Sequence, residues 1–106
     1  MIYTTDGQCR IYIPNRGVIR SAQVYILCTT IAGSAEDVAI SLRLNATTDY
    51  AIETKGLDAG KKTLFSNYLL NIPVEQGDYF AIKMVCPIWV TNPSSIYIEC
   101  VILVFT

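Results

Sequence analysis

Val38-Ala39-Ile40-Ser41-Leu42-Arg43-Leu44-Asn45 carries the most regular pattern in this chain. Val38, Ile40, Leu42 and Leu44 alternate with Ala39, Ser41, Arg43 and Asn45, a period of two that gives an extended strand one dry face and one wet face. A strand of that kind belongs to an antiparallel sheet with one side on the core. Asn45-Ala46-Thr47-Thr48-Asp49 then supplies turn formers, and Tyr50–Thr54 reads as the returning arm of a hairpin.

The flanking sequence repeats the theme. Cys9–Ile13 is a short strand run ended by Pro14-Asn15-Arg16-Gly17, and a long run follows from Val18 to Ile31. Beyond the polar loop 56–62, a run from Thr63 to Val74 closes at Glu75-Gln76-Gly77-Asp78. Tyr79–Cys86 sets Phe80, Ile82 and Met84 against Tyr79, Ala81, Lys83 and Val85. Pro87 ends it, and the loop through Trp89, Thr91 and Asn92 leads to a last strand over Ser95–Phe105. About seven runs at this spacing predict an all-β, antiparallel β-sandwich of jelly-roll kind over a single domain, residues 1–106, with an N-terminal strand and its following loop in 1–15.

Two runs carry more apolar surface than a two-layer sandwich covers. The last strand puts Ile96, Ile98, Cys100, Ile102 and Val104 on one face and Tyr97, Val101, Leu103 and Phe105 on the other, broken only by Glu99. Val24–Cys28 likewise has no polar break. A sandwich buries one face of each sheet, so a strand apolar on both faces calls for another protein surface. Tyr25, Leu27, Val101, Leu103 and Phe105 are the expected oligomer interface. Composition agrees: charged residues are 16% of the chain against a typical ~25%, too few to solvate a lone small domain.

Several functions find no support. Net charge is −1 with dispersed Lys and Arg, so no basic patch addresses nucleic acid. No apolar run approaches the ~20 residues of a membrane helix, and the N-terminus lacks a charged-then-apolar signal pattern. There is no His, and the four Cys show no CxxC spacing, so neither a metal nor another cofactor is expected. The Cys read as free thiols packed as small hydrophobes, with disulfides in one of three pairings as the alternative. Lacking His, a nucleophile elbow and a phosphate loop, the chain is not expected to be an enzyme. Glu53 and Glu99, each within a strand, are the one carboxylate pair that could serve glycoside hydrolysis if the fold opposed them.

The second half resembles a jelly-roll domain of bacteriophage appendages, the knob of tail fibres, receptor-binding proteins and head fibres. The resemblance rests on Ser41-Leu42-Arg43-Leu44-Asn45 before a hairpin, Leu70-Asn71-Ile72-Pro73-Val74 before Gly77-Asp78-Tyr79, Ala81-Ile82-Lys83, and Pro87-Ile88-Trp89-Val90-Thr91-Asn92-Pro93 before the closing strand. By strand plan it covers residues 16–106. It implies a homotrimer with apolar sheet faces along the axis, other virion proteins as partners, and a virion location after assembly in the bacterial cytoplasm. The implied role is attachment to a host-surface glycan or protein.

The alternatives are a capsid decoration or head-fibre protein, and a monomeric carbohydrate-binding module. Trp89, with Thr91 and Asn92, is the candidate ligand-binding loop, because an indole stacks on sugar rings and anchors partners; the competing reading makes Trp89 a lid over one end of the sandwich.

Overall fold

The computed structural model describes residues 2–5, 7, 9–30, 37–57, 62–86 and 94–106; Trp89, Thr91 and Asn92 lie outside them. Over the described residues the β-branched and aromatic runs become strands, with no helix. In chain order these are β1 (Ile2–Thr4), β2 (Ile11–Tyr12), β3 (Gly17–Thr30), β4 (Val38–Leu44), β5 (Thr48–Lys55), β6 (Lys62–Asn67), β7 (Ile72–Val74), β8 (Tyr79–Val85) and β9 (Ser94–Phe105).

All pairings are antiparallel and sort into two sheets. In the first, β1 and β2 lie end to end along β8, which pairs with β4, which pairs with β5. In the second, β6 and β7 share one side of β3, and β9 occupies the other. The period-two faces meet in one core. Val38, Ile40, Leu42, Phe80 and Ile82 come from the first sheet, and Ile19, Val24, Ile26, Phe65, Ile72 and Val74 from the second. Phe65 and Phe80 are completely buried.

One lateral seam of this sandwich is closed. The Glu53 carboxylate accepts the Ser66 N–H at 3.1 Å, and the Asn67 amide donates to the Ala51 carbonyl at 3.1 Å, joining β5 to β6. On the opposite side, no described strand pairs with the outer edge of β9.

The expected run from Thr63 to Val74 is two strands: between the Ala22↔Asn67 and Ile19↔Ile72 pairs, the four residues 68–71 stand against only two of β3, and at the same level β3 bulges against β9. Arg20 is an extra residue between the Ile19↔Phe105 and Ser21↔Val104 pairs. Its carbonyl accepts the Leu70 N–H at 3.0 Å, and its guanidinium donates to Asn71 Oδ1 at 2.8 Å and to Thr106 Oγ1 at 3.2 Å. The interruption leaves Leu69 almost wholly exposed instead of in a strand. The hairpin after β4 turns through Asn45 and Ala46, with φ of 50° and 59°, the left-handed pair of a type I′ turn. Asn45 also receives the Tyr79 N–H and donates to Asp78, tying this turn to Glu75–Asp78 at the same end of the molecule.

Candidate assembly surface

The outer faces of the two sheets differ in chemistry. On the first sheet, β4 alternates as its sequence predicts: Val38, Ile40 and Leu42 are buried while Ala39, Ser41 and Arg43 reach the surface. Lys83 Nζ donates to Asp49 Oδ2 at 2.6 Å, and Arg43 Nε lies 3.7 Å from the other oxygen without a hydrogen bond of its own. Tyr12 and Tyr79 lie with ring centroids 5.7 Å apart, and Arg10 stands 4.2 Å over the Tyr79 ring. That face is polar and ionic, as water requires.

The outer face of the second sheet is apolar along β9 and across Tyr25 and Leu64, with Gln23 and Ser66 as a polar pair within it. Ala22, Val24 and Ile26 of β3 are fully buried, so Gln23, Tyr25 and Leu27 alternate outward and are half-buried. Tyr25 pairs with Leu64 on one side and Cys100 on the other; Gln23 pairs with Ser66 and Ile102; Leu27 pairs with Lys62 and Tyr97. Along β9 this face presents Tyr97, Cys100, Ile102 and Val104.

The faces of β9 therefore differ from strict alternation. Tyr25 pairs with Cys100 but Ile26 pairs with Ile98, so Glu99 is an extra residue and the strand changes face there. Ile98 joins Val101, Leu103 and Phe105 on the core side, while Tyr97 joins Cys100, Ile102 and Val104 outside. The five expected interface residues consequently divide. Tyr25 and Leu27 are on the outer face, Val101 and Leu103 pack against the core, and the Phe105 ring lies over Gly17. Tyr97, Ile102 and Val104 complete the outer patch, and the lone charge at Glu99 was the sequence signal for the change of face.

β9 is incompletely covered on both sides. Tyr97, Ile98, Ile102, Val104 and Phe105 retain between 38% and 55% exposure. Removing the remainder from water stabilises an assembly by about 1 kcal/mol per residue, before the cost of association.

Glu53 and Glu99 are not brought together: Glu53 sits at the closed β5–β6 seam, Glu99 on the opposite edge strand, with β3 between. The Ser66 N–H, and then the Lys55 ammonium, hold the Glu53 carboxyl below the usual range. Asp78 is lowered by the Glu75 N–H and then the Asn45 amide. Among the described cysteines, Cys9, Cys86 and Cys100 are free thiols. Cys86 packs as a small hydrophobe, and burial raises its thiol pKa. Cys9 and Cys100 are exposed, contrary to the expected burial, because Cys9 precedes β2 and Cys100 faces outward on β9.

No family model matches the chain, and comparison with curated proteins and with solved structures returns no match.

Proposed function

We propose that this chain is a non-enzymatic structural subunit of a virion, a trimeric fibre or receptor-binding knob of the phage-appendage kind, built on a jelly roll and attaching to a host surface through several copies at once. The observation that carries the reading is the outer face of the β3–β9 sheet. It is apolar from Leu64 through Tyr25 to Cys100 and along β9 to Val104, where a free-standing antiparallel sandwich keeps that face polar. Packed around a threefold axis, such faces would bury one another. Weak contacts by the exposed loops would then multiply through simultaneous engagement.

Strand order supports the jelly-roll form. An eight-stranded jelly roll sets its second, seventh, fourth and fifth strands side by side in one sheet, and its first, eighth, third and sixth in the other. With β1 and β2 together as the second strand and β6 with β7 as the sixth, the order here is β1/β2–β8–β4–β5 and β9–β3–β6/β7. It lacks only a first strand beside β9 among the described residues.

The test is the mass of the purified chain by light scattering at micromolar concentration, beside Ile102→Lys. A trimer that Ile102→Lys reduces to a folded monomer is expected; a wild-type monomer sinks the reading. A monomer that binds a glycan array and loses that binding in Tyr12→Ala would favour the carbohydrate-module reading, for which the exposed Tyr12 beside Arg10 and the half-buried Tyr79 is the supporting observation.

A further inference from the structure

A strand edge presents unpaired N–H and C=O groups to any strand that approaches, and monomeric sandwiches guard such edges. Every other edge among the described residues is guarded. β1 and β2 are three and two residues long. β5 carries Asp49, Glu53 and Lys55, and is bridged to β6. β6 and β7 are interrupted over 68–71, and β7 contains Pro73. β9 has none of this protection beyond Glu99: it runs for 12 residues without Pro, Lys or Arg.

We propose that β9 pairs along this free edge, antiparallel, with β9 of a second copy of the chain, so that two β3–β9 sheets become one continuous sheet. Thr106 and Val18 exchange both backbone bonds, at 2.9 and 3.0 Å, so Thr106 points toward β3. By alternation Val104, Ile102 and Cys100 do the same, and Val101, Leu103 and Phe105 aim their N–H and C=O outward.

The segment is self-complementary about a twofold axis at Leu103. Leu103 faces its own copy, Val101 faces Phe105 twice, and Ile102 faces Val104, apolar against apolar throughout. The three outward-aimed pairs form roughly six backbone hydrogen bonds at two per narrow pair. Glu99 falls beyond the paired stretch, so no like charges are opposed. A second copy fits better than an unrelated acidic or basic peptide because neither the edge nor its flanking side chains offer a charge to recognise one.

Of the most exposed apolar residues of β9 only Ile102, Val104 and Phe105 lie in the paired stretch, so the contact is smaller than the ~800 Å² per partner of a standard interface and is a weak, reversible one. This contact goes beyond the proposed trimer. It uses the edge of β9, whereas the threefold packing uses the face, so either can fail alone.

The experiment is amide hydrogen exchange of the full chain at 1 and 200 μM, with light scattering on the same samples. Wild type is expected to show about tenfold slower exchange at Val101, Leu103 and Phe105 at the higher concentration, with mass doubling over the same range. Val101→Pro removes one outward N–H without removing a bond to β3. It is expected to keep the strand-rich circular dichroism while abolishing both changes. Should Val101→Pro fail to fold, the wild-type concentration dependence decides alone. Edge amides that exchange at the same rate at both concentrations, or a mass that does not double, would overturn the proposal, including the case where the edge is covered by the chain itself.

Discussion

Replacing Gly17 by Ala tests how β9 is held to the sandwich. An added Cβ at this position would stand 2.4 Å from Cζ and 2.6 Å from Cε2 of Phe105, and 2.7 Å from the Thr106 carbonyl oxygen. The ring has somewhere to go, because Phe105 is 38% exposed at the open edge. The carbonyl does not, since it accepts the Val18 N–H at 3.0 Å, one residue from the substitution. Overpacking of this kind costs about 1–3 kcal/mol. The lower unfolded-state entropy of Ala returns about 0.4–1 kcal/mol. The net expectation is a loss of about 1–2 kcal/mol, or roughly 5–12 °C in unfolding temperature for a domain of this size.

Urea unfolding at one fixed protein concentration measures it, because assembly makes apparent stability concentration-dependent. Part of the loss should disappear when Phe105→Ala is combined with Gly17→Ala, as the ring contacts no longer exist. The residual penalty reports the carbonyl. Gly17→Ala as stable as wild type, or a penalty unaffected by removing the ring, would refute the packing described for this strand end.

Two further outcomes follow from the hairpin turn and from the hydrogen-bonded carboxylates. Ala46→Gly should raise the unfolding temperature, because relief of a left-handed alanine, worth about 1–2 kcal/mol, exceeds the ~0.5–1 kcal/mol of added glycine entropy; a calorimetric midpoint unchanged or lower would contradict the turn geometry. Glu53 and Asp78 have folded pKa values below their unfolded ones, so the unfolded chain binds more protons as pH falls. Their contribution is present in full above the ordinary carboxylate value near about 4 and is lost as pH drops through the folded values. Urea midpoints should therefore decline below about pH 4, and more shallowly in the Glu53→Gln, Asp78→Asn double variant; an identical acid slope would show that these bonds contribute nothing.

Sheet chemistry was legible wherever burial imposes a period. Val38–Leu44 places one face on the core and its alternation survives into the structure, whereas in Tyr79–Val85 Ala81 is buried along with Phe80 and Ile82. Division of the Thr63–Val74 run was not legible, because it shows only in the register with β3, where residues 68–71 stand against two residues. Arg20 bonds across that break to Asn71, 51 residues away in sequence. The one N-terminal strand expected in 1–15 is two short ones, β1 and β2: three residues are too few to show a period, and Ile2–Thr4 is held by its register with Val85–Lys83.

The assembly surface was legible as an excess but not as a geometry. Counting apolar residues in Ser94–Phe105 shows that one sandwich cannot cover them, whichever way each points. Direction depends on register, and a single extra residue reverses it. The strand is continuous in composition on either side of Glu99, yet Ile98 and Cys100, assigned to one face by strict alternation, pair with Ile26 and Tyr25 on opposite faces. A glutamate in an otherwise apolar strand is what a bulge accommodates, since the unpaired extra residue is free of both the ladder and the packed faces. The same bulge confines the only charge of β9 to its N-terminal half and leaves Val101–Phe105 charge-free. Face and edge are then separable: a substitution at Ile102 addresses the outer sheet surface, while one at Val101 addresses the backbone row beside it, although the two residues are neighbours in sequence.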